Sequence, residues 1–128
     1  MGRTQFKQEY PLKQASISAL WRMISTPAGL CTWFCDSMSV AGRTYSFSWK
    51  GHTQDATLIA QSEYEFIRFR WREDAGNNSY FEFRITTLEL TGTVALVVTD
   101  TAPDDEIEDA RLLWDNEVEE LKRRLGLN

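Results

Sequence analysis

The chain is poor in the residues that most often carry catalysis or hold metals. Histidine occurs once, at His52, and cysteine twice, at Cys31 and Cys35. A zinc site wants four such ligands, and this set does not supply them convincingly. Two cysteines four positions apart make no disulfide framework, and in a reducing compartment they stay thiols, so both read as core or groove residues. No serine stands in a nucleophile-elbow setting and no glycine-rich phosphate loop follows a strand. No cofactor and no metal are therefore expected. Positive charge is in deficit: 14 Lys and Arg face 19 Asp and Glu, for a net charge of −5. Nucleic acid and anionic membrane surfaces, which want a basic face, are not expected partners. No apolar run reaches the ~20 residues of a membrane span. The opening Met1 to Phe6 has no hydrophobic signal region, so a cytoplasmic location is the expectation. Gly2 would suit N-myristoylation, but Phe6 stands where that motif needs Ser or Thr.

What the chain does have is apolar and aromatic bulk. The hydrophobic fraction is 42%, with five Trp, seven Phe and four Tyr among 128 residues. That excludes disorder and suits one domain, residues 1–128, burying roughly two-thirds of its unfolded surface.

The most strongly patterned stretch is the last, Asp104 to Leu125. Ile107, Ala110, Trp114, Val118, Leu121 and Leu125 recur at spacings of three and four, one stripe on a long helix. Asp104, Asp105 and Glu106 open it and Lys122, Arg123 and Arg124 close it, opposing the helix dipole at both ends. Pro103 suits entry to the first turn and Gly126 the stop.

Upstream the period is two. Phe6, Gln8, Tyr10 and Leu12 share one side of a first strand that ends, or lies at an edge, at Pro11. Ser16 opens a short helix through Leu20 and Ile24. Thr26 caps a second, with Pro27 at its first position and Leu30, Cys31, Trp33 and Phe34 following. Tyr45, Phe47 and Trp49 then alternate with polar neighbours, Gly51-His52-Thr53 reads as a turn, and Ala56, Leu58 and Ala60 mark a weaker strand. Glu65, Ile67, Phe69 and Trp71 share one face, as do Phe81, Phe83 and Ile85 after a loop at Asp74 to Asn78. Val94, Leu96 and Val98 form the last strand after a turn at Leu90-Thr91-Gly92. The pattern predicts an α+β fold: an antiparallel sheet of about six strands with one apolar face, two short helices after the first strand, and a long C-terminal helix lying on the sheet.

That order, together with particular motifs, resembles the START-like (helix-grip, SRPBCC) superfamily, in which a curved sheet wraps the C-terminal helix. Thr26-Pro27-Ala28-Gly29-Leu30 followed by Trp33-Phe34 is similar to the T-P-x-G-L-x-x-W-F segment of the Aha-type activators of a heat-shock ATPase and their relatives. Phe34-Cys35-Asp36, Tyr80-Phe81-Glu82-Phe83 and Leu90-Thr91-Gly92 are similar to bacterial START-like proteins of this length. The resemblance runs from about residue 4 to residue 127. It implies a helix-grip fold, a bacterial source and no shared catalytic motif; its members include lipid carriers, polyketide cyclases and chaperone activators.

Three functions follow as expectations. The first is a binding module for an apolar or amphipathic, lipid-like small molecule in a cavity between sheet and long helix. The parity of the strands and the stripes of the helices point Trp33, Phe34, Phe47, Trp49, Phe69, Trp71, Phe81, Phe83, Trp114 and Val118 into that space, with Glu65 as a polar group at the mouth. The second is a protein-interaction module using the ladder Lys50, Arg68, Arg70, Arg72 and Arg84, with Glu82, on the outer sheet face. The third is a cyclase- or hydrolase-like enzyme using Glu65, His52 or Asp36, although no spacing identifies a catalytic set. Pairing of two copies through the edge at Pro11 or the apolar Met38 leaves monomer and homodimer both open.

Overall fold

A computed structural model describes residues 2–127. Seven strands form one antiparallel sheet: β1 (Arg3–Pro11), β2 (Ser37–Ala41), β3 (Thr44–Trp49), β4 (His52–Ser62), β5 (Phe66–Trp71), β6 (Phe81–Thr87) and β7 (Val94–Pro103). Their spatial order is β1-β7-β6-β5-β4-β3-β2, so the last strand returns beside the first and the rest is a meander. Helices α1 (Ile17–Ser25) and α2 (Pro27–Trp33) follow β1, and α3 (Ile107–Arg124) follows β7.

The sheet has one strand more than the sequence pattern predicts. The extra strand is β2, Ser-Met-Ser-Val-Ala, an edge strand that is exposed everywhere but at half-buried Met38. With a single side chain turned inward it shows no apolar alternation. Met38 packs against the core instead of standing free on the surface. The strand around Ala56 is also longer than its pattern suggests, because the register shifts between Leu58 and Ala60 and breaks the alternation there. Such a bulge adds twist and bends the strand, which helps curve the sheet. His52 and Thr53 belong to β4, the turn itself being Lys50 and Gly51 at φ 47 and φ 86, the left-handed pair a two-residue hairpin requires. Pro11 ends β1, which lies at the sheet edge and pairs only with β7.

Pro103 closes β7, and residues Asp104–Glu106 form a 3-10 turn before α3 begins at Ile107. At the far end the Leu127 N–H donates to the Lys122 carbonyl at 2.8 Å and the Gly126 N–H to that of Arg123 at 3.1 Å. Those two bonds are a Schellman cap, and Gly126 at φ 77 supplies its left-handed residue. Trp114, Val118 and Leu121 are the buried stripe of α3. They meet Phe47, Phe69, Phe81, Phe83, Leu96 and Val98 from the sheet in a core that also takes Leu20, Ile24 and Leu30 from the short helices.

Candidate functional site

The corner between α1 and α2 positions one wall of the site. Thr26 Oγ1 accepts from the Gly29 N–H at 3.0 Å and donates to the Arg22 carbonyl at 2.7 Å, capping α2 and tying it to α1. Gly29 is required by packing: a Cβ there would lie 2.1 Å from the Arg22 carbonyl oxygen. With the corner fixed, the Trp33 indole N–H donates to the Met23 carbonyl at 2.8 Å. The next residues are held from the other side. The Trp49 indole donates to the Phe34 carbonyl at 2.6 Å, and the Asp36 carboxylate accepts from the Lys50 N–H at 2.7 Å. The Trp33-Phe34-Cys35-Asp36 segment is therefore clamped between α1 and the β3–β4 hairpin.

Phe34 stands at the centre of the rings. It stacks on Trp114 of α3 with centroids 5.8 Å apart and planes at 7°, and meets Phe47, Trp49 and Phe83 edge-on at 5.2–5.4 Å. Aromatic pairs in these geometries each contribute about 1 kcal/mol beyond area burial. Even so the rings do not fill the space. A groove of about 800 Å³ remains, lined by Trp33, Phe34, Trp49, Trp71, Phe81, Trp114, Ala110 and Leu113, with polar members Cys31, Thr32, Cys35, Asp36, Gln54, Asp100, Glu117, Glu120 and Arg124. One wall is the end of α2 and the segment after it; the other is α3.

Two carboxyl groups give this groove its electrostatic character. Asp100 sits on β7 in the same parity as Leu96 and Val98; its Oδ2 accepts from the Trp114 indole at 2.9 Å and its Oδ1 from the Thr101 N–H at 2.8 Å. Burial outweighs those bonds and leaves its pKa raised. Glu117 sits one turn beyond Trp114 on α3. Its Oε2 is shielded from solvent and has no hydrogen-bond partner. Burial, with Asp100 nearby, pushes its pKa up to about 8. At neutral pH Glu117 therefore carries a proton, in an apolar setting where an unpaired charge would be costly.

The thiols are free, with sulfurs 3.8 Å apart. Burial, then the neighbouring Cys31, holds the Cys35 thiol well above its usual range, so it stays protonated and a poor nucleophile. Among the described residues no group of His, Cys, Asp and Glu is arranged to hold a metal ion.

Of the residues the sequence points inward, Trp33, Phe34, Trp49, Trp71, Phe81 and Trp114 line the groove. Phe47, Phe69, Phe83 and Val118 are fully buried behind them and fill the core without touching the opening. Glu65 departs from its expected place. It is exposed in the turn between β4 and β5, its N–H bonded to the Ser62 carbonyl at 2.9 Å, and it lies outside the groove. The strand starts at Phe66, one residue later than the parity implies. His52 is exposed at the β3–β4 hairpin and also lies outside. Asp36 reaches the rim, exposed and committed to Lys50.

Asp100 and Glu117 line the groove and are not among the residues the sequence reading assigns to it. Asp100 extends the apolar parity of Val94, Leu96 and Val98. Glu117 follows Trp114 by three positions and precedes Leu121 by four, half-buried at the border of the stripe formed by Trp114, Val118 and Leu121. Gln8 is a polar group of the same kind, but it is satisfied: its amide bonds Tyr10, Asp115 and the Arg111 carbonyl at 2.7–3.1 Å, and Arg111 returns a bond of 2.7 Å. It ties β1 to α3.

A sheet closing on a C-terminal helix, two short helices after the first strand, and an aromatic groove between them define a START-like domain. The chain belongs to that superfamily: the model of the START-like superfamily domain matches residues 1–127. It is similar to a Bacteroides fragilis protein solved by NMR, 38% identical over 97% of this chain and 92% of that one, with a TM-score of 0.68. It is also similar to the Aha1 dimer of Colwellia psychrerythraea, 18% identical over 98% of this chain and 96% of that one, TM-score 0.72. A third structure, DynU16 from the dynemicin biosynthetic locus, is 19% identical over 97% of this chain and 47% of its own, TM-score 0.75. At such identities the last two speak for the fold alone. Among curated proteins none matches the chain. No helix among the described residues is long and apolar enough to cross a membrane.

Proposed function

We propose that the protein binds an apolar or amphipathic, lipid-like small molecule in the groove between the sheet and α3. The observation that carries this reading is the groove itself: about 800 Å³ stays open in an interior crowded with rings. Ligand sites commonly occupy ~300–1,000 Å³ and are lined mainly by apolar and aromatic groups with a few polar ones.

Native mass spectrometry against a panel of apolar and amphipathic probes tests the reading. The expected result is a one-to-one complex with at least one probe, lost in Ala110→Trp, which fills the groove from α3. A panel that gives no adduct, or adducts indifferent to Ala110→Trp, contradicts it.

The docking reading loses ground on the outer sheet face. Arg68 and Arg84 are paired with Glu82 at 2.7 and 3.0 Å, and Arg70 donates to the Ser79 carbonyl at 2.9 Å. Arg72 is bonded to Asp55. Cations already engaged have less to offer an acidic partner. Of the residues of the enzyme reading, Glu65 and His52 lie outside the groove, and Asp36 reaches its rim with its carboxylate bonded to the Lys50 N–H.

A further inference from the structure

We propose that the groove's ligand carries a basic nitrogen, an amine or ammonium group set among the Trp faces and against the Glu117 and Asp100 carboxyls. This rests on the groove being a ligand site, as argued above, and adds the chemistry of what fills it.

Three observations converge. First, the polar lining is one-sided. Asp36, Asp100, Glu117 and Glu120 reach the groove, while among the described residues Arg124 is the one basic side chain lining it. Arg124 is spent on Glu120 at 2.9 Å. An anionic ligand would meet carboxyl groups and a cation already engaged by one of them. Second, Glu117 Oε2 is sheltered from solvent with no partner, although buried polar atoms are nearly always satisfied. The Asp100 oxygens each accept one hydrogen bond and retain lone pairs for a second donor. Glu117 Oε2 lacks a donor and Asp100 has room for a further one, and an ammonium is nothing but donors. Third, the indole N–H groups of Trp33, Trp49 and Trp114 are tied to Met23, Phe34 and Asp100. With those N–H groups occupied, what the rings offer a ligand is their π-systems, whose negative faces attract cations.

A neutral hydrogen-bond acceptor is the nearest alternative, since protonated Glu117 could donate to it. It would leave the spare lone pairs of Asp100 without a donor and draw nothing from the π-faces of Trp33, Trp49 and Trp114. The cation engages all three features together, and on binding it, Glu117 gives its proton to solvent and becomes the matching carboxylate.

Isothermal titration calorimetry at pH 7 with three isosteric probes decides between them: naphthylmethylammonium, naphthylmethanol and naphthoate. The expected order is ammonium, then alcohol, then carboxylate, with the ammonium at least about tenfold tighter than the alcohol. Glu117→Gln is expected to collapse the ammonium-to-alcohol ratio towards one, and Asp100→Asn to reduce it. Equal binding of ammonium and alcohol, or a ratio that survives Glu117→Gln, overturns the inference and leaves the groove reading standing. Failure of all three probes to bind, in a protein whose circular dichroism shows it folded, removes the groove reading and this inference together.

Discussion

The two sides of the sheet each shelter a carboxyl group, Glu82 of β6 on the outside and Glu117 of α3 on the inside, and they treat it in opposite ways. On the outer face Glu82 is 4% exposed. Arg68 and Arg84 bracket it at 2.7 and 3.0 Å, with their guanidinium groups over Phe66 and Tyr80. Burial alone would raise its pKa, but the hydrogen bonds from Arg84 and Arg68 outweigh burial and the net shift is downward. On the inner face Glu117 has burial without a cation, and its pKa rises to about 8. A fold that supplies two arginines to one buried acid and none to the other is using them differently. Glu82 is part of the scaffold, closing the convex face, whereas Glu117 is left short of a partner at the groove. On the outer face Arg68, Glu82 and Arg84 form one cluster with the rings of Phe66 and Tyr80.

Removing the inner acid has the largest expected effect. The folded protein keeps the Glu117 proton up to about pH 8, while the unfolded chain releases it near the ordinary 4.5. Unfolding is thus favoured as pH rises through that window. Glu117→Gln is expected to match the parent at pH 5 and to exceed it by roughly 2–4 kcal/mol at pH 9, at about 1.36 kcal/mol per pKa unit. Urea denaturation at the two pH values reads this directly, and a gain independent of pH would mean that Glu117 is not held protonated.

The outer acid should behave in the opposite sense. Glu82→Ala is expected to cost about 2 kcal/mol at pH 7, below the full penalty for breaking a buried pair because both arginines remain about one-third exposed. Its contribution is present above the ordinary carboxyl range and fades as pH falls through the lowered folded value. The Glu82→Ala penalty should therefore shrink in acid, and a penalty that persists unchanged there would assign it to packing rather than charge. Removing one cation, as in Arg84→Gln, should cost only about 1 kcal/mol, since Arg68 still holds Glu82. A double-mutant cycle with Arg68 would give the coupling. Smallest of all, Glu65→Ala should stay within about 0.5 kcal/mol of the parent and leave probe binding intact, as befits a turn residue.

The sequence makes the helix and the strong strands legible because their side chains alternate or recur without interruption. The stripe from Ile107 to Leu121 and the run Ile67, Phe69, Trp71 need no tertiary knowledge. The edge strand β2 escapes because burying one side chain, Met38, leaves no period to detect. Glu65 misleads for a related reason: parity continues smoothly through a residue that the backbone has already turned out of the strand. Trp33, Phe34 and Trp114 are readable as inward-facing, but which rings fill the core and which border an opening depends on how the two walls meet. No residue pattern encodes that gap. Asp100 and Glu117 were the more informative signals, acidic residues on otherwise apolar faces, where a buried polar group needs a partner.

The central claim, that the inner acid is uncompensated and the outer one compensated, is most directly tested by following both side-chain carboxyl carbons in one NMR pH titration. The account predicts that Glu117 titrates near 8, far above its ordinary 4.5, and that Glu82 titrates below 4.5. If both titrate together in the ordinary carboxylate range, the asymmetry is absent, and with it the case for Glu117 as the groove's recognition group.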